Sequence, residues 1–185
     1  MEGISLDLQR SIGERYVVRS SMGCGSWARV PWIAVSDPSE TTQHGLYIQI
    51  LFAQDMSCVY VCLGQGTFRL KTAFGAETAM AHLSSVCELV RARVSALLPP
   101  DHPFDLSGGI DLKADRGGLA AEYERGAIVT LRLPAEDLPS EASMHATLHT
   151  LLEAYAALLD EPGYAELKVR VLLLLLVLVS LLLDE

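Results

Sequence analysis

Two apolar periods run along this chain, and the switching between them outlines its elements. Ile4, Leu8, Ile12 and Tyr16 recur every four residues, which predicts a short amphipathic helix over residues 4–16. Tyr16-Val-Val-Arg-Ser-Ser then reads as a strand and runs into Gly23-Cys24-Gly25, where two glycines permit a tight or exposed turn. Trp32 to Ser36 forms a second strand, stopped by Asp37-Pro38. Gly45 opens a third, Leu46 to Phe52. Its period of two puts Leu46, Ile48, Ile50 and Phe52 on one face and Tyr47, Gln49 and Leu51 on the other. The first face is plain core. The second mixes an aromatic, an amide and an aliphatic group, as the wall of a binding pocket would. Gln54-Asp-Met-Ser57 turns into a fourth strand, Cys58 to Leu63, and so short a connection predicts an antiparallel hairpin.

The second half switches to helical spacing. Met80, Leu83, Cys87, Val90, Val94 and Leu97 form a stripe that Pro99-Pro100 ends. Residues 101–118, rich in Gly, Asp and Pro, read as a long loop of the kind that is often functional. Ala127 to Leu133 is a further strand. Pro139-Ser140-Glu141 starts a last helix, with Met144, Leu148, Leu151, Leu152, Tyr155 and Leu158 on one side. Val171 to Leu183 is leucine or valine throughout except Ser180, yet shorter than the ~20 residues that span a bilayer. That tail is open to three readings: a buried terminal element, a surface for another chain, or the stub of a longer polypeptide. The whole predicts an α+β fold, with a curved, largely antiparallel sheet, partly closed like a barrel and flanked by helices. Residues 1–160 are expected to form one domain and 161–185 a leucine-rich tail.

Charge sharpens the picture only a little. A net charge of −9 argues against a nucleic-acid partner, but residues 1–100 balance eight basic against eight acidic groups, and all the excess lies beyond. A DNA-facing surface is therefore expected from the first half, whose basic residues are nearly all arginine. The four cysteines form no CxxC pair and read as buried reduced thiols of a cytoplasmic protein. The N-terminus lacks the basic start and apolar run of a signal peptide.

No P-loop is present, so nucleotide hydrolysis is not expected from this chain. His145 and His149 stand four apart on the last helix, but no third ligand completes a metal site. Asp101, Asp105, Asp111 and Asp115 crowd the long loop without calcium-loop order or a nuclease signature. A solvated loop is the plainer reading, with a metal-dependent nuclease as the alternative in a different class. A protein-interaction domain built on the leucine tail is a third. Neither cofactor nor metal is expected.

Residues 22–67 carry the informative pattern: Met-Gly-Cys-Gly-Ser-Trp-Ala-Arg-Val-Pro-Trp, then His-Gly-Leu-Tyr-Ile-Gln-Ile-Leu-Phe, then a hairpin closing on Gly-Gln-Gly-Thr. This arrangement resembles the N-terminal DNA-recognition domain of McrB-type, methylation-dependent restriction systems, over residues 5 to about 160. The resemblance implies a module that grips double-stranded DNA and flips a modified cytosine into a pocket, with nuclease and NTPase motor functions supplied by other domains or subunits and no membrane involved. Trp32 matches the family's pocket tryptophan, and Tyr47 and Leu51 match pocket-lining positions, with Gln49 between them. A further aromatic wall is expected after the long loop, where Tyr123 is the candidate. Cys24, Gly25 and Ser26 at the glycine turn, with Arg19 and Arg29, are the expected DNA contacts. Cys24 departs from the best-known member, which has a tyrosine there. Unaided by the resemblance, Trp32 reads as core, Trp27 as a packing residue behind the turn, and both arginines as solvated charges.

Overall fold

The computed structural model describes residues 2–23, 27–68, 71–72, 75–115 and 118–166. Helix α1 spans Glu2–Ile12 and leads into strand β1, Val17–Ser21. It stops a turn earlier than its apolar spacing implied, because Gly13 takes a left-handed φ of 80° and terminates it. Tyr16 stays buried beyond the helix end. The Gln9 amide ties the two elements, donating to the Tyr16 carbonyl and accepting from the Val18 N–H.

Strands β2 (Trp32–Ser36), β3 (Gly45–Phe52), β4 (Cys58–Gly66) and β5 (Ala127–Pro134) follow in the order β1-β2-β3-β4-β5, each antiparallel to the next. The sheet is open, with β1 and β5 at its edges, so the expected partial barrel closure is not found. Its antiparallel, helix-flanked character is as expected. Helices α2 (Ala76–Leu97), α3 (Gly118–Gly126) and α4 (Glu141–Asp160) flank the sheet. Ser140 caps α4 by accepting the Ser143 N–H.

Strand parity divides the interior in two. On one face Val35, Leu46, Ile48, Val61, Leu63, Val129 and Leu133 pack against Leu83, Cys87, Val90 and Val94 of α2 and Leu148, Leu151, Leu152, Tyr155 and Leu158 of α4. Tyr155 is fully buried, donates to the Leu46 carbonyl at 2.8 Å and accepts the Asp37 N–H, joining α4 to both ends of the β2–β3 connection. Packed structure continues past α4, for Tyr164 is buried in this cluster and donates to Glu40. The leucine-rich stretch from Val171 lies outside the described residues.

The other face carries a smaller cluster of Val30, Leu51, Ala53, Cys58, Tyr60, Cys62 and Leu112, with Trp32, Ala120 and Tyr123 against it. The long loop is fastened across this face. Leu112 is fully buried, its carbonyl accepts the Gln54 N–H, and its own N–H donates to Glu124; the Asp111 N–H meets the Tyr60 hydroxyl. Asp105 extends the sheet by bridging Thr130 on β5.

Cys58, Cys62 and Cys87 are free and buried. Burial pushes the Cys62 thiol far up and Cys87 to about 12. Reactive thiolate is therefore suppressed at both near neutral pH. Iodoacetamide should leave Cys62 and Cys87 unmodified in the folded protein and label both in denaturant, as read by peptide mass mapping. Labelling of the folded protein at either would show that this part of the core opens.

Candidate functional site

The register of the sheet aligns residues of all five strands into rows on the second face. One row runs Arg19, Ala34, Gln49, Cys62, Thr130; the next runs Ser21, Trp32, Leu51, Tyr60, Arg132. Small residues flank Gln49 on both sides, and Gly64 stands opposite Tyr47. A hollow therefore forms over β3. Helix α3 covers it, presenting Leu119, Glu122 and Tyr123 at helical spacing i, i+3, i+4. The segment after β4 supplies Thr67, Phe68 and Lys71, and Thr42 and Gln65 complete the wall.

The result is a cavity of about 240 Å³ lined by Trp32, Tyr47, Gln49, Leu51 and Tyr123 together. These five are the residues singled out in the sequence. Its volume is several times the ~30 Å³ share of a water in the liquid and below the ~300 Å³ at which drug-sized pockets begin. One flat ring suits it better than a whole nucleotide.

Walls and polar groups differ in character. Tyr47 and Leu51 are buried, Trp32 is partly buried, and Phe68 and Leu119 are well exposed at the mouth. Burial raises the Tyr47 hydroxyl far above its ordinary range and Tyr123 to about 12, with the Glu122 charge adding to both. Both phenols stay neutral at any physiological pH. Glu122 is itself buried, and its carboxylate accepts from the Thr67 hydroxyl and the Lys71 ammonium. The carboxamide oxygens of Gln49 and Gln65 are buried with no hydrogen-bond partner in the protein.

The expected DNA contacts are placed less uniformly. Arg19 is exposed on β1, in the same row and on the same face as Gln49. Arg29 is exposed before β2 and pairs with Asp115, a solvent-exposed contact worth at most ~1 kcal/mol. It is therefore free to exchange Asp115 for a phosphate at little cost. Cys24, Gly25 and Ser26 lie outside the described residues. Trp27 does not pack behind the turn as expected: it is 74% exposed.

Sequence reading missed Thr42, Gln65, Thr67, Phe68, Lys71, Leu119 and Glu122. Five of these sit on α3 or the segment after β4, neither of which shows a long apolar stripe. The one available signal was Leu119-Ala-Ala-Glu-Tyr-Glu, a run of good helix formers beyond Gly118.

Three aspartates of the acidic loop are engaged within the protein. Asp105 accepts from Ser107, Asp111 from Lys113, and Asp115 from Arg29, and the hydrogen bonds hold Asp105 and Asp111 below the ordinary carboxylate range. Among the described residues no three His, Cys, Asp or Glu side chains lie close enough to share a metal. His145 bonds Ser11 and packs tilted against His149, 4.5 Å between ring centroids. No helix among the described residues is long and apolar enough to cross a membrane.

The antiparallel sheet thus carries an aromatic-walled cavity on one face, with Arg19 exposed on the same face. The chain belongs to the family described as MrcB-like, N-terminal domain, which it matches over residues 4–160. It is accordingly a DNA-binding recognition module of restriction systems. No curated protein matches it.

Proposed function

We propose that this domain binds double-stranded DNA and extrudes a modified cytosine, 5-methylcytosine or a close relative, into the cavity between β3 and α3. The observation that supports this most is the convergence of Trp32, Tyr47, Gln49, Leu51 and Tyr123 on one cavity of single-ring size. A base leaving the stack needs flat or apolar walls to replace lost stacking and a few polar groups to read its edge. Both kinds of group are here. Arg19 and Arg29 hold the duplex by its phosphates, and Cys24, Gly25 and Ser26 are further DNA contacts. Cleavage and NTP hydrolysis belong to other domains or chains in the cytoplasm, and this chain acts as their specificity module.

The test is a panel of identical duplexes carrying cytosine, 5-methylcytosine, 5-hydroxymethylcytosine, N4-methylcytosine or N6-methyladenine, titrated at several salt concentrations. Modified cytosine should bind tightest, and log affinity should fall with log salt by about 0.9 per phosphate contact. Indifference across the panel, or binding that ignores salt, would sink the reading.

Arg19→Ala and Arg29→Ala should weaken plain and modified duplexes alike and each lower the salt slope by roughly one contact, since phosphate contacts position without specifying. A change confined to the preference for modification would put these arginines in the wrong role.

A further inference from the structure

Gln49 is only 2% exposed, yet its carboxamide oxygen faces no donor in the protein. Folding does not place an acceptor so without cost, because a buried polar atom lacking a partner destabilises the free protein. The sheet also leaves room for the amide. Ala34 and Cys62 flank it across the sheet, and a Cβ added at Gly64 would stand 2.4 Å from its nitrogen. Glycine at that position leaves the room the amide occupies. A second buried carboxamide oxygen without a partner, that of Gln65, lines the same cavity. Glu122, the charged acceptor nearby, is already engaged by Thr67 and Lys71. Two buried acceptors on the cavity wall are thus left without a donor in the protein.

We propose that this acceptor pair selects the base that enters, with Gln49 as the specificity-determining residue. Its oxygen, together with that of Gln65, accepts from the exocyclic amine of the base, so a 4-amino pyrimidine is taken and a 4-oxo pyrimidine refused. The proposal rests on the base-pocket reading and adds the edge chemistry that it requires. 5-Methylcytosine and thymine have the same ring and the same methyl group, so aromatic walls cannot tell them apart. They differ in the group at position 4. A 4-oxo base would set oxygen against oxygen and leave both protein acceptors unpaired, the situation in which sites discriminate most strongly.

The experiment compares two duplexes with the full chain, one with 5-methylcytosine and one with thymine at the same position, each opposite guanine. A fluorescent base analogue beside the target reports extrusion. The mismatched thymine opens more easily, so any preference for 5-methylcytosine acts against the cost of opening. The wild type should favour 5-methylcytosine by on the order of 10-fold or more. Gln49→Leu should bring the ratio close to one and melt at or above the wild-type temperature, since it removes an unpaired buried acceptor. A purely structural glutamine would not behave so. Gly64→Ala should also lower the ratio, by displacing the amide while keeping it. Extrusion of both bases with equal wild-type affinity would overturn the selection by amine and leave the pocket standing. A wild-type ratio retained in both variants would overturn the role of Gln49. Extrusion of neither base would remove the pocket reading itself, and this proposal with it.

Discussion

Trp32→Ala is expected to erase the preference for modified over plain duplex while the protein remains folded. Stacking on an aromatic wall contributes ~1–3 kcal/mol per base, about 5- to 150-fold in affinity. The stability cost should stay below the ~3–5 kcal/mol of a fully buried tryptophan, because Trp32 is only partly buried at the margin of the smaller cluster. Tyr47 is different. At 4% exposure, in the cavity wall opposite Gly64, Tyr47→Ala should bear the full core penalty, and a lost preference there would be uninterpretable. Tyr47→Phe keeps the ring and removes only the hydroxyl, so it should melt near the wild type and retain most of the stacking. Thermal melting beside titration with a fluorescent base analogue separates these cases. If Trp32→Ala collapsed the melting temperature and left the preference intact, Trp32 would be an ordinary core residue.

The asymmetry between Trp32 and Tyr47 shows what the sequence could and could not reveal. Period two along β3 put Tyr47, Gln49 and Leu51 on one face, and the sheet register places all three beside Trp32 from β2. That half of the cavity was legible because strand parity is strict: a one-residue slip would turn every side chain over. The opposite wall was not. Helix α3 is nine residues between two glycines, with Glu122 turned inward on an ion pair that no apolar period announces. Tyr123 was reached through the family resemblance, and its place on a helix came only with the fold. Lys71 and Phe68 follow β4 by a few residues, where spacing says nothing of direction. The long loop misled in a further way. Its Asp and Gly content reads as solvated, yet Leu112 is fully buried, and one backbone hydrogen bond and two to side chains fasten the loop across the second face. Tertiary packing decided that segment, and composition could not.

Gly66→Ala should produce a large loss of stability for a single added methyl. Gly66 stands opposite Gly45 at the end of the β3–β4 ladder, and the β2–β3 turn folds over it. A Cβ there would lie 2.7 Å from the His44 nitrogen and the Thr42 oxygen and 2.8 Å from the Gln43 carbonyl carbon. All three are backbone atoms. The turn that carries them is fixed by the Thr41–His44 bridge and by a Thr41 side chain that also bonds His44, so it has little freedom to recede. Overpacking of this kind costs ~1–3 kcal/mol and sometimes more. At about 2–4 °C per kcal/mol for a chain of this length, the melting temperature should fall by roughly 5–10 °C. Thr42 lines the cavity, so displacement of the turn should weaken modified and plain duplexes unequally as well. Gly64→Ala is the matched control two residues away. Its added methyl meets only the far end of the Gln49 side chain, which can swing aside, so its melting temperature should move far less while base selection suffers more. Measured side by side, the two alanines should invert: one loses stability first, the other selection first. Equal melting temperatures would mean that the turn yields as easily as a side-chain amide, and the close packing at Gly66 would then impose no constraint on the fold.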